Sequence, residues 1–276
     1  PHIVADKDLA PLLQCESPSL RNKAAQLTDG RTSKALIPLL VQNLADPRTV
    51  ATARRALRRF DADLVADELG RVIRDPLTSQ GLLRGSLRAA RDYPDHADLP
   101  SILQVGFTES IELVTEAANS LASVSEVRAL PDEVLRRSEQ LLEQTANKTY
   151  HALVLRHQFD GDENAFLIRD NLETRIRKNK VALLEIALLP HPHQRAAKYS
   201  QVMASGTQWE RANVLELLDN LLPLHQRELL LPLLEDSGVA DKVKKAHRLG
   251  ANPPGPEHVI RDWLYSNNSW TTVIAL

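Results

Sequence analysis

The chain has 276 residues, a net charge of −2, 43% hydrophobic residues and 25% charged ones, a balance ordinary for a soluble globular protein. Near-neutrality removes any global pull toward nucleic acid or an anionic membrane. No run approaches the ~18 consecutive apolar residues that a bilayer-spanning helix needs.

Scarce glycine (10) with abundant alanine and leucine favours helix, and an aromatic content of 4% predicts an aliphatic core. The single cysteine, Cys15, has no internal disulfide partner and suits a reducing compartment, where it reads as a small buried hydrophobe. No signal peptide is visible. The sequence opens at Pro1 without Met and stops at Leu276 inside the apolar pattern Trp270-Thr-Thr-Val-Ile-Ala-Leu, so a piece of a longer polypeptide is expected.

The first expected helix covers 6–15, with Leu9, Leu12 and Leu13 on one face. Ser17-Pro18 then starts a helix with Leu20, Ala24, Ala25 and Leu27 inward, and Asp29-Gly30 makes a turn. Ser33 caps the next helix, where Leu36, Ile37, Leu40, Val41 and Leu44 follow the i, i+3, i+4, i+7 rule. Asp46-Pro47 opens its partner, with Val50, Ala53, Ala56, Leu57 and Phe60. The unit recurs as Leu64, Val65, Leu69, Val72 and Ile73, then Asp75-Pro76, then Leu82, Leu83, Leu87 and Ala90. Ser17-Pro18, Asp46-Pro47 and Asp75-Pro76 stand 29 residues apart, twice over. Ser or Asp is a preferred N-cap and Pro fits the first helical position. A fixed period with a fixed helix-start signal marks a helical-hairpin repeat.

A looser third unit has helices over about 98–107 and 109–124, and its Asp-Pro signal is lost. From Pro131 the pattern changes. One long helix runs through about Phe159, Asp160-Gly161-Asp162 is a turn, and a second long helix covers 163–189. These read as a long antiparallel hairpin. Helices follow over about 194–204, 210–222, 225–235 and 239–248, then a stiff loop at Pro253-Pro254-Gly255-Pro256, then helices over 257–266 and 269–276. Trp209, Trp263 and Trp270 stand near helix starts, where packing between repeats is their expected role. The expected fold class is all-α, an α-solenoid of stacked antiparallel helix hairpins with a longer hairpin near the middle. Its parts are N-terminal repeats over 1–130, the long hairpin over 131–190, and C-terminal repeats over 191–276, in one continuous array.

Leu20-Arg21…Ala24-Ala25…Leu27 and Ile37-Pro38-Leu39-Leu40…Leu44…Asp46-Pro47…Val50 resemble HEAT-type repeats, although the 29-residue units are shorter than the ~40–47 usual there, so HEAT-like is the fitting term. Over about 130–276, Leu172-Glu173…Arg175, Leu183-Leu184…Ala187-Leu188-Leu189-Pro190, Arg211 to Leu222 and Leu231-Pro232-Leu233-Leu234-Glu235-Asp236 stand in one order. That order is similar to the HEAT-like region of bacterial fusion proteins built around an ATP/ADP-carrier-like transporter of the major facilitator type, some with a cyclic-nucleotide-binding domain. The resemblance implies a cytoplasmic module tied to the membrane through the rest of the protein. Its implied partners are the transporter core, a cyclic-nucleotide-binding domain, or another protein.

No local motif marks catalysis. GxxxxGK[ST], GxGxxG, HExxH and CxxC are all missing, so no catalytic residue, cofactor or metal is expected. His191-Pro192-His193 reads as a polar loop, and Asp160-Gly161-Asp162 lacks the Gly and Glu that a calcium loop needs at its sixth and twelfth positions. The notable charge feature is arginine. Ten arginines against five carboxylates occupy 48–91, and Arg54, Arg58, Arg84, Arg88 and Arg91 fall on second helices of successive units. Such helices usually line the concave face of a solenoid. This stripe is the candidate interaction surface, fit for phosphates, acidic helices or lipid head groups. The plain alternative is arginine stems covering apolar neighbours. Residues 109–143 tilt acidic, with eight carboxylates against three arginines, a polarity able to orient docking within a larger protein. Two functions therefore compete: a non-catalytic interaction or regulatory module, and a nucleic-acid-binding solenoid in the manner of HEAT-like DNA glycosylases. The charge balance and scarcity of stacking aromatics disfavour the second.

Overall fold

The structure, a computed structural model, describes residues 6–28, 33–108, 110–191, 194, 196–250 and 255. The turn at Asp29-Gly30, His193, the proline-rich loop apart from Gly255, and the helices expected over 257–276 with Trp263 and Trp270 lie outside the described residues. Among the described residues there are fourteen α-helices and no strand. The chain divides into two compact units, Pro1–Leu135 and Arg136–Leu276.

The first unit holds α1 (Asp6–Gln14), α2 (Pro18–Leu27), α3 (Ile37–Gln42), α4 (Val50–Leu57), α5 (Ala62–Arg74), α6 (Gln80–Ala90), α7 (Leu99–Gly106) and α8 (Ile111–Ser125). The helices pack two by two, α1 with α2, α3 with α4, α5 with α6 and α7 with α8. Beyond its own partner, α1 touches α3, α3 touches α5, and α5 touches α7. On the other layer α2 touches α4, and α6 touches α8.

Local chemistry sets these helices. The Asp61 carboxylate accepts from the Leu64 N–H at 3.3 Å and caps α5. Asp63 near its start and Arg71 and Arg74 in its last turn complement the helix dipole. Val65, Ala66, Leu69, Val72 and Ile73 then form one buried stripe. Ser79 caps α6 through the Leu82 N–H at 3.4 Å, and Asp98 caps α7 through the Ser101 N–H at 3.3 Å. The core is aliphatic, built on Leu9, Leu13, Leu36, Leu40, Leu44, Leu57, Val65, Leu69 and their alanine neighbours.

The Asp-Pro dipeptides act differently from the expected helix starts. α4 begins at Val50 and α6 at Gln80, several residues after Pro47 and Pro76. Each aspartate spends its carboxylate on a turn. Asp46 Oδ1 accepts from the Arg48 N–H and Asp75 Oδ1 from the Leu77 N–H, both at 2.9 Å. The Asp46 carbonyl accepts from the Thr49 N–H at 3.0 Å, and the Asp75 carbonyl from the Thr78 N–H at 3.1 Å. Thr49 and Thr78 then donate their hydroxyls to the Asn43 and Val72 carbonyls at 2.6 and 2.8 Å. The recurring device is thus Asp-Pro-x-Thr, a turn that ties the end of one helix to the approach of the next. At Ser17-Pro18, by contrast, α2 does begin at the proline.

Expected inward positions also need correcting. Leu12, Leu20 and Leu27 are 37%, 44% and 54% exposed, because they lie on the side of α1 and α2 that no described helix covers. Trp209 is 74% exposed, so its ring is not packed between helices of its unit.

The second unit contains α9 (Asp132–Gln158), which begins just before the division, α10 (Phe166–Ala187), α11 (Ala196–Ser205), α12 (Gln208–Leu221), α13 (Leu224–Leu234) and α14 (Val239–Arg248). Leu155, Phe159, Ala165 and Leu172 bind the joined ends of α9 and α10 around Gly161, whose φ of +87° suits glycine. α10 packs on α11 and α13, α11 on α12, α12 on α13, and α13 on α14. A reciprocal capping box of Thr207 and Glu210 starts α12. Tyr150 is fully buried and donates its hydroxyl to the Leu229 carbonyl at 2.9 Å. No described helix is long and apolar enough to cross a membrane.

Candidate functional site

The arginine stripe lies in the first unit, and four of its five members are engaged by carboxylates of the following hairpin. On α4, Arg54 clasps Asp92 with two bonds, Nε to Oδ2 at 3.0 Å and Nη2 to Oδ1 at 2.9 Å. Arg58, one turn on, reaches Asp92 Oδ1 at 2.6 Å. On α6, Arg88 donates through Nε to Glu116 Oε1 at 2.6 Å, and Arg91 pairs with Glu116 Oε2. Arg91 also reaches Ser120 Oγ at 3.4 Å, while Ser120 donates to the Leu87 carbonyl at 2.8 Å. The same arrangement occurs earlier, where Arg21 on α2 pairs with Asp46 at 2.5 Å. Arg59 reaches back from α4 to the Gln26 carbonyl at 3.0 Å and to the Thr28 carbonyl. Those groups at the end of α2 would otherwise lack helical donors.

Planar, forked guanidinium groups suit this work, since two parallel bonds fix a carboxylate in distance and direction. Asp92 and Glu116 are nearly closed off from solvent, with side-chain exposures of 9% and 10%. Burial pushes the Asp92 carboxyl up, but the Arg58 and Arg54 guanidiniums outweigh it and hold it below its ordinary value. Burial pulls Arg91 down from the usual arginine value, and Glu116 works against that pull. At the exposed rim, hydrogen bonds from Arg48 hold Asp46 at about 2.

Arg84 differs from its neighbours. It is half-buried one turn before Arg88 on α6 and has no ion-pair or hydrogen-bond partner among the described residues. The stripe as a whole therefore presents much less free positive charge than the sequence count of arginines suggests. The partners Asp92 and Glu116 escaped sequence reasoning. Asp92 sits one residue past the counted arginine-rich stretch, and Glu116 was counted with an acidic segment.

The folded values of Asp92 and Asp46 lie below their unfolded ones. Their contribution to stability is therefore present above about pH 4 and is lost as pH falls through the folded values. The melting temperature should fall as pH drops from about 4 toward 2. Asp92→Asn should be less stable near neutrality and show a shallower acid slope; an unchanged slope would contradict the pairing.

Little else in the described residues is arranged for chemistry. No three His, Cys, Asp or Glu side chains gather as metal ligands among them. Cys15 is half-buried and directs its thiol at the Leu12 carbonyl, 3.0 Å away. His157 pairs with Asp160 at 2.9 Å beside Arg156, and Asp162 Oδ1 accepts from the Asn164 N–H at 2.9 Å, which is turn geometry. A cavity of about 10 Å³ beside Ala66, Gly70, Tyr93 and Asp98 has room for one water rather than a substrate. The Tyr93 hydroxyl there has no partner, and burial pushes it up to about 12.

No family model and no curated protein matches the chain. Two solved structures, each described only as the crystal structure of an engineered protein, are similar to it at 13% and 11% identity. The alignments cover 98% and 99% of this chain and 92% and 96% of theirs, at a TM-score of 0.29 in both cases. The likeness is too slight to place the fold.

Proposed function

We propose that the chain is a non-catalytic HEAT-like α-solenoid module for protein–protein interaction or regulation. The observation that carries this reading is the two-layer order of the first unit. Alternate helices pack on one another from α1 through α3 and α5 to α7, and α2 on α4 and α6 on α8 opposite them, while arginines of one hairpin grip carboxylates of the next. Nearest-neighbour coupling of this kind is how helical repeats gain stability.

Following the sequence resemblance, its partner is another part of the same polypeptide, a transporter-like membrane core, with the module on the cytoplasmic side. Extending the gene sequence upstream of Pro1 tests that context. Apolar spans of ~20 residues support it, and their absence removes the transporter while leaving the repeat module.

The nucleic-acid reading loses ground because Arg54, Arg58, Arg88 and Arg91 already serve carboxylates. In a gel shift with a DNA duplex at about 50 mM salt, where phosphate contacts are strongest, no complex is expected. A complex that fades with added salt and weakens in Arg84→Ala would instead favour that reading.

A further inference from the structure

The first hairpin, α1 with α2, has an apolar side that its own unit does not use. Its inner side is spent on the next hairpin: Leu9, Leu13, Ala24 and Ala25 are buried, Arg21 pairs with Asp46, and the Asn22 side-chain amide donates to the Arg48 carbonyl at 3.0 Å. On the other side Leu12, Leu20 and Leu27 stand exposed, with Pro11 exposed next to Leu12 in sequence. Elsewhere in the described part of this unit the exposed large apolar side chains, Leu77 and Val127, each stand alone in a turn. A helical repeat with an apolar outer face is stable in water only when something covers that face.

The charges on the two helices point to a second copy of the chain as the cover. Exposed Lys7 and Lys23 are balanced by exposed Asp8 and Glu16, and none of these side chains has an ion-pair or hydrogen-bond partner among the described residues. A face of one sign repels its own copy, whereas a balanced face is complementary to it. The order of the charges adds to this. Leu20, Lys23 and Leu27 follow the i, i+3, i+7 spacing of one stripe on α2. Glu16 stands four residues before Leu20, on the approach to the helix, and Lys23 three residues after it.

We propose that this side of α1 and α2 is a two-fold interface between two copies of the chain. Two α2 helices laid antiparallel about an axis at Leu20 set each Glu16 against Lys23 of the other copy, because in such an interface residue i meets j and j meets i. The Leu20 side chains meet at the axis, and Leu12 and Leu27 widen the apolar contact. Two helices from each copy make a small interface, so the dimer is weak, with a Kd on the order of tens of micromolar. This contact is separate from the transporter-like partner, so its failure leaves the interaction module standing.

Sedimentation velocity of the full chain, from about 1 to about 300 µM in about 50 mM salt, reads the association directly. The weight-average mass is expected to climb from the monomer value toward twice it. Leu20→Glu places two carboxylates at the axis and should keep the chain monomeric throughout. Glu16→Lys and Lys23→Glu should each weaken the dimer about 10-fold, and the two together should restore it to within about 3-fold of the wild type. All three positions are exposed, and circular dichroism checks that each variant is folded. A wild-type chain still monomeric at about 300 µM overturns the proposal and leaves the face to a different protein. A dimer that survives Leu20→Glu overturns it too, as does a double exchange that associates no better than the single ones.

Discussion

Replacing Glu116 with alanine is expected to cost about 3 kcal/mol of folding stability, because it strands two guanidiniums on one side of a packed helix pair. Glu116 is 10% exposed and sits between Arg88 and Arg91, whose side chains are 43% and 28% exposed. Most of the loss belongs to Arg91, which is already disfavoured by burial and held charged against Glu116. Arg88 is wet enough to rehydrate, and its share is small. Urea denaturation of the full chain measures the difference. Glu116→Gln should recover part of it, since an amide oxygen still accepts from one arginine. A loss below about 1 kcal/mol for Glu116→Ala would mean that the pair is a surface ornament rather than a clamp.

Gly85→Ala is expected to be at least as damaging, about 3 kcal/mol or more, for a steric reason. A Cβ at this position would stand 2.2 Å from the Leu44 carbonyl oxygen and 2.8 Å from its carbon, and both belong to backbone that cannot swing aside. α6 must therefore shift away from the 3-10 turn at 43–45, on which it packs closely. Gly81, one turn earlier, is the internal control. Its Cβ would meet only the Ala45 carbonyl oxygen at 3.2 Å, so Gly81→Ala needs a shift of a few tenths of an ångström and should cost well under half as much. Thermal melts of the two variants side by side check the ordering. Equal losses would show that α6 is held loosely and that close approach at Gly85 does not matter.

The helices were legible because apolar spacing is a local signal. Val65, Leu69, Val72 and Ile73 are buried where the 3.6-residue period puts them. The Asp-Pro dipeptides were legible as punctuation but misassigned. An aspartate can cap a helix or close a turn, and the threonine three residues on, an equally local feature, accompanies the turn in both cases. Leu20 and Leu27 follow the inward pattern yet are exposed, since periodicity shows that a face is apolar and not that anything covers it.

The arginine face shows a different limit. Its donors come in two pairs, Arg54 with Arg58 and Arg88 with Arg91, each pair within about one helical turn, but their acceptors lie 25 to 38 residues further along the chain. No window short enough to show helix periodicity includes both, so the charge was read as free when the fold had already used most of it. Gly81 and Gly85, spaced to share one helix face, were a readable hint of close backbone packing.

In the first unit the arginine face couples each hairpin to the next. Double-mutant cycles in the full chain test it most directly, pairing Arg91→Ala with Glu116→Ala and, as the control, Arg84→Ala with Glu116→Ala. The coupling should be about 1.5 kcal/mol or more for the first pair and within about 0.3 kcal/mol of zero for the second. Couplings that are the same for both pairs would contradict it.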